Sequence, residues 1–158
     1  MEFRDVLYSR HSTRSFTDRI VTKSEIHTML DAAIHAPNAC NMQSWHYYII
    51  TDPAVKEKMA ENGVCAPWVT EAPVIFVICT DAEALTSRFG EKGEVFALQD
   101  TAAAAENLLL CATDMGQWRW GQELKSVRPL AGHQASWPKH GRCKVAVAGR
   151  PKGKFPFC

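Results

Sequence analysis

The chain has 158 residues, 46% of them hydrophobic and 22% charged, and a formal net charge of +1. That length supports one moderate core and excludes two independent ones, and no apolar run is long enough to cross a bilayer. The charge is lopsided: residues 1–116 hold nine Lys/Arg against sixteen Asp/Glu, whereas residues 117–158 hold nine against Glu123 alone.

Met1 to Asp5 carry mixed charge with no apolar segment behind them, so no secretory leader is expected. Phe3, Val6 and Leu7 fall at i, i+3 and i+4, the spacing of a short amphipathic helix over 2–9. A polar turn runs from Arg10 to Phe16. Thr22-Lys23-Ser24-Glu25 then reads as a capping box, with Ile26, Met29, Leu30 and Ala33 at helical spacing until Pro37 restricts Ala36. Residues 37–44 read as a polar loop. Trp45 to Thr51, aromatic and β-branched, reads as a strand, and Asp52-Pro53 opens a helix over 53–61. Gly63 to Glu71 is irregular, Pro73 to Thr80 is a continuously apolar strand, and Ser87 to Gly93 is expected to be a mobile loop. Glu94 to Met115 predicts a long helix closed by Gly116, with an Ala- and Leu-rich part that is apolar nearly all round. Such a helix must be covered on every face, and in a domain this small a second subunit would cover one side. Residues 117–144 show no sustained periodicity before a last strand at Lys144 to Ala148.

The six cysteines offer neither a C-x-x-C pair nor a metal-ligand spacing, so reduced thiols in a cytoplasmic protein are expected, with no metal. Helices and strands do not alternate strictly, and no glycine-rich phosphate loop is present. The expectation is a single α+β domain over 1–158, with helices packed on a small, mainly antiparallel sheet rather than a doubly wound fold.

Two segments carry possible chemistry. In Arg10-His11-Ser12-Thr13-Arg14, two guanidiniums, a hydroxyl and closely spaced backbone N–H groups after a helix make a plausible anion site. Taken alone, the cluster equally suits a solvated helix end. Ala36-Pro37-Asn38-Ala39-Cys40-Asn41-Met42-Gln43-Ser44-Trp45 is rich in amides, which in a loop often only satisfy their own backbone. His27, His35 and His46 read as surface or packing residues rather than acid/base groups.

Together and in this order, an R-H-S-x-R turn, a capped helix and A-P-N-x-x-N-x-Q-x-W entering an aromatic strand resemble the nitroreductase family. The resemblance continues through Ala72 to Val77 and through Gln99 to Ala112, which looks like the family's central dimer-interface helix, and Val145 to Lys154 looks like its last strand and basic turn. It implies a homodimer holding FMN between its subunits. Arg10 and Ser12 would hold the phosphate, with His11 contributing mainly backbone. Arg14 would sit at the N1–C2=O edge of the flavin, where a guanidinium offsets the negative charge that reduction places there. Pro37, Asn38, Ala39, Asn41 and Gln43 would come from the partner and cover the flavin, and Arg150, Lys152 or Lys154 would add charge near the phosphate. The implied activity is reduction of nitroaromatics, quinones or similar flat acceptors by NADH or NADPH, in a ping-pong hydride transfer. Its alternatives are an FMN-binding protein of the same fold with little turnover, or another family chemistry such as reductive dehalogenation or flavin fragmentation.

The sequence also departs from the family pattern. Ala39 lacks the hydroxyl often found beside the phosphate, and Ser44 replaces a proline before the strand tryptophan, which reads as a minor change. Gln117 to Lys144 holds three of the five tryptophans and one acid, a composition like that of an out-of-frame stretch. The basic, tryptophan-containing tail could contact nucleic acid, but it contains no recognisable module, and a solvated tail is the commoner case. The chain ends ten residues after Ala148, so a C-terminal arm wrapping the partner is expected to be rudimentary.

Overall fold

The structure, a computed structural model, describes residues 1–116 together with the backbone of 118–124 and 143–149. Five helices, α1 (Phe3–Ser9), α2 (Lys23–Ile34), α3 (Pro53–Glu61), α4 (Ala82–Phe89) and α5 (Lys92–Asp114), accompany four strands, β1 (Trp45–Ile50), β2 (Val74–Thr80), β3 (Trp118–Leu124) and β4 (Cys143–Gly149). The strands form one sheet in the order β1-β2-β4-β3, and every neighbouring pair is antiparallel.

Local chemistry accounts for most boundaries. Thr22 accepts from the Glu25 backbone N–H while the Glu25 carboxylate accepts from Thr22, so the capping box starts α2. Asp52 accepts from the Ala54 N–H and Pro53 stands in the first turn of α3. Gly116, at φ 70°, follows the end of α5 as the left-handed stop anticipated for it.

β2 divides the core. All seven of its residues are buried. The period of two sends Val74, Phe76 and Ile78 into one cluster, with Met29 and Ala33 of α2 and Ala104, Leu108 and Ala112 of α5. Ile75, Val77 and Cys79 enter a second, with Phe16, Met59 of α3 and Val69. The sheet is therefore sandwiched, α2 and α5 on one face and α3 with the 3-10 turn Pro67–Glu71 on the other. A strand buried on both faces has no polar alternation to show, which is why Pro73 to Thr80 reads as a continuous apolar run.

Four expectations need correction. Ser87 to Gly93 is not a loop. Asp81 accepts from the Ala84 N–H to cap α4, Leu85 is fully buried, and the chain turns at Gly90 (φ 60°) directly into α5. Residues 63–71 include the 3-10 turn. Residues 118–124, read as aperiodic, form β3, because pairing with β4 supplies the ladder that no local pattern announces. Finally, Cys79 is disulfide-bonded, against the expectation of reduced thiols throughout, while Cys40 and Cys65 keep free thiols. The β2–β4 register sets position 79 opposite position 143, a proximity hidden by their separation in sequence.

Among the described residues no helix is long and apolar enough to cross a membrane, and no His/Cys/Asp/Glu cluster is arranged to hold a metal ion.

Candidate functional site

α5 is the scaffold. It packs against α2 and α4 and also meets α1, all four strands of the sheet and the turn at Ala39–Asn41. Two of its carboxylates hold the segments singled out in the sequence. Near its C-terminal end, Asp114 takes the Met1 ammonium at 2.7 Å, fixing the start of α1, which leads into Arg10 to Arg14. Fourteen residues earlier, about 21 Å up the helix axis, Asp100 takes the loop that precedes β1.

Segment 10–14 is a turn with one buried anchor. Thr13 is buried and its hydroxyl donates to the Ser15 carbonyl at 3.3 Å. Two residues beyond Arg14, Phe16 is buried and stacks on Trp68 at a 6.5 Å centroid separation. These contacts turn the other residues outward: Arg10 and His11 are half-buried, Ser12 and Arg14 exposed. The His11 Nδ1–H donates to the Ser9 carbonyl at 2.9 Å, which stitches the segment to α1. Neither Arg10 nor Arg14 has an acidic partner among the described residues. Two guanidiniums and a hydroxyl within five residues, uncommitted among the described residues, suit an anion such as a phosphate monoester.

Loop 37–44 is ordered by its own polar groups. Asn38 Oδ1 accepts from the Gln43 N–H at 2.9 Å, and Asn38 Nδ2 donates to the Ala36 carbonyl at 3.2 Å. Both ends of that amide are thus used within the loop, so Asn38 shapes it. By contrast, the side-chain amides of Asn41 and Gln43 are exposed and carry no hydrogen bond among the described residues. Pro37 is exposed and Ala39 half-buried. Cys40, Asn41 and Gln43 all lie in the left-handed region, at φ 51°, 55° and 48°. For residues other than glycine that conformation costs roughly 1–2 kcal/mol each, and it persists only where the surroundings enforce it.

The enforcing group is one that sequence reasoning passed over. Asp100 is 6% exposed; its Oδ1 accepts from the Ala39 N–H at 3.0 Å and its Oδ2 from the Ser44 hydroxyl at 3.3 Å. The signal was available: Asp100 stands in line with Ala97, Thr101, Ala104 and Leu108, the buried stripe of α5, where a carboxylate is out of place without a bonding reason. Ser44 is likewise no minor change. A proline there would lack the hydroxyl, and it would also push Gln43 away from its left-handed conformation.

Each segment is built against its own part of α5, one through α1 and the other through Asp100. His27, His35 and His46 are exposed, as expected. Arg150, Lys152 and Lys154 lie outside the described residues.

Comparison with known proteins adds the lineage. The nitroreductase family model matches residues 7–63, which include both segments. A protein of Archaeoglobus fulgidus assigned as an NADH dehydrogenase/NAD(P)H nitroreductase is 32% identical over 134 residues, 80% of this chain and 74% of that protein. The FMN reductase (NADPH) of Bacillus subtilis is 28% identical over 124 residues, 71% of this chain and 50% of that protein. A solved structure from Parabacteroides distasonis, assigned like the Archaeoglobus protein, superposes with a TM-score of 0.76 at 25% identity, covering 98% of this chain and 90% of that one.

Proposed function

Because this chain belongs to the nitroreductase family, we propose that it is an FMN-dependent oxidoreductase that passes electrons from NADH or NADPH to flat acceptors such as nitroaromatics or quinones. The observation that carries this reading is the Arg10–Ser12–Arg14 donor set, uncommitted among the described residues, accompanied by a strained loop whose Asn41 and Gln43 amides are exposed. FMN, when bound, would supply the hydride chemistry for donor and acceptor in alternation.

This chain's residues bind and orient. Arg10 and Ser12 would hold the phosphate, with backbone help from His11, and Arg150, Lys152 or Lys154 would add charge around it. Arg14 would face the N1–C2=O edge, where a fixed cation offsets the negative charge gained on reduction. Pro37, Asn38, Ala39, Asn41 and Gln43 of the second copy would close over the ring and exclude water. A homodimer fits the open apolar surface of α1 and α5, where Phe3 is 70%, Tyr8 86% and Val95 52% exposed. A cytoplasmic location, with its pools of reduced nicotinamide, goes with this reading.

The test is an absorbance spectrum of the purified protein after reconstitution with FMN, followed by anaerobic NADH and then NADPH. Bound flavin that bleaches is the expected result, and it ranks the donors; a protein that takes up no FMN ends the proposal. Replacing Arg14 with alanine is expected to slow bleaching by about tenfold or more while changing FMN affinity less. An unchanged rate would remove Arg14 from the electronic role.

A further inference from the structure

Resting on the flavin reading above, we infer that Asp100 is a positioning residue for the flavin: it clamps both ends of the Ala39–Ser44 loop and acts on the ligand only through that loop's shape. A buried carboxylate is unfavourable without compensation, and Asp100 has no cationic partner among the described residues. As a packing residue in the apolar stripe of α5, alanine or leucine would serve better. What Asp100 gains is direction. One oxygen takes the Ala39 N–H and the other the Ser44 hydroxyl, so a single rigid helix position fixes the two points where the loop leaves and rejoins the body of the protein.

Between those points lie Cys40, Asn41 and Gln43, all in the left-handed region. A loop so shaped relaxes when its ends are released. The other ties run the same way: the Ser44 carbonyl accepts from the Asp81 N–H at 2.9 Å, and Asn38 spans to the Gln43 N–H. Released at Asp100, the loop keeps its sequence but loses the presentation of Asn41 and Gln43, the groups left open for a ligand.

The experiment compares FMN dissociation constants of the wild type, Asp100→Ala, Asp100→Asn and Ser44→Ala by flavin fluorescence quenching, well below each melting temperature. Amide hydrogen exchange over residues 39–44 is followed in parallel without FMN. Asp100→Ala is expected to weaken binding about tenfold or more and to speed exchange across 39–44, leaving β1 and α5 protected. Asparagine keeps an acceptor for the Ala39 N–H and is expected to stay within about threefold of wild type, with Ser44→Ala between the two. Wild-type affinity in Asp100→Ala overturns the inference and leaves the flavin reading standing, as does equal weakening by alanine and asparagine, which would point to charge rather than loop shape. Should Asp100→Ala fail to fold, Ser44→Ala decides: unchanged affinity and unchanged exchange refute the clamp. A wild-type chain that binds no FMN overturns the flavin reading and the inference with it.

Discussion

Glu25 gathers more interactions than any other described carboxylate. Its oxygens accept from Arg19 at 2.5 Å, from the Thr22 N–H at 2.8 Å and from the Thr22 hydroxyl at 3.0 Å. Burial works against its ionisation, but these bonds and the Arg19 charge outweigh it and hold the carboxyl at about 2, below the usual 4.5. Because the folded pKa lies below the unfolded one, the stabilisation is complete above about pH 4.5 and is lost as pH falls toward 2. The pair is partly open to water, so its worth is on the order of 1 kcal/mol. Glu25→Gln should therefore lower stability near neutrality by about that amount and flatten the acid limb between pH 4.5 and 2, as read by urea unfolding across that range. An unaltered acid limb would show that Glu25 does not set it.

At the scale of elements, the joint between α4 and α5 leaves no room for a side chain at Gly93. A Cβ on Gly93 would stand 2.4 Å from both the Leu85 carbonyl carbon and the Thr86 nitrogen, and backbone cannot swing aside as a side chain can. Gly93→Ala should destabilise the fold by about 1–3 kcal/mol or more, seen as a lower denaturant midpoint, whereas Gly90→Ala meets open space and acts only through its positive φ. This joint also shows what the sequence disclosed and what it hid. The starts of α2 and α3 were legible because the cap and the capped N–H groups lie within a few residues of each other. α4 was not, since its case rests on Leu85 reaching a core assembled from distant segments and on a glycine required by a neighbouring helix. β3 depends on β4 in the same manner. At the site, Arg10 to Arg14 and Asn38 to Gln43 were legible as polar clusters, whereas Asp100 was hidden in an apolar helix and Ser44 looked incidental. Their meaning lies in contacts 61 and 56 positions apart.

At the scale of the whole molecule, the amphipathic pattern of α1 is only half satisfied. Val6 is buried, but Phe3 and Leu7, on the same stripe, are left exposed beside Tyr8. In the proposed homodimer the second copy covers them, so Leu7→Glu should shift sedimentation toward the monomer and release FMN together with the partner's loop. A wild-type chain that sediments as a monomer would remove the dimer from the proposal.

The strand order bears on how the chain is made. β2 pairs with β1 on one side and with β4 on the other, and β3 joins the sheet only through β4. During synthesis β3 therefore emerges before the strand it needs. The wholly buried, largely apolar β2 keeps one edge bare until residues 143–149 leave the ribosome, and an open apolar edge invites pairing with other chains. Truncation before residue 143 removes the strand that seals the centre of the sheet, so premature termination in this region yields a product prone to aggregate rather than a smaller working domain.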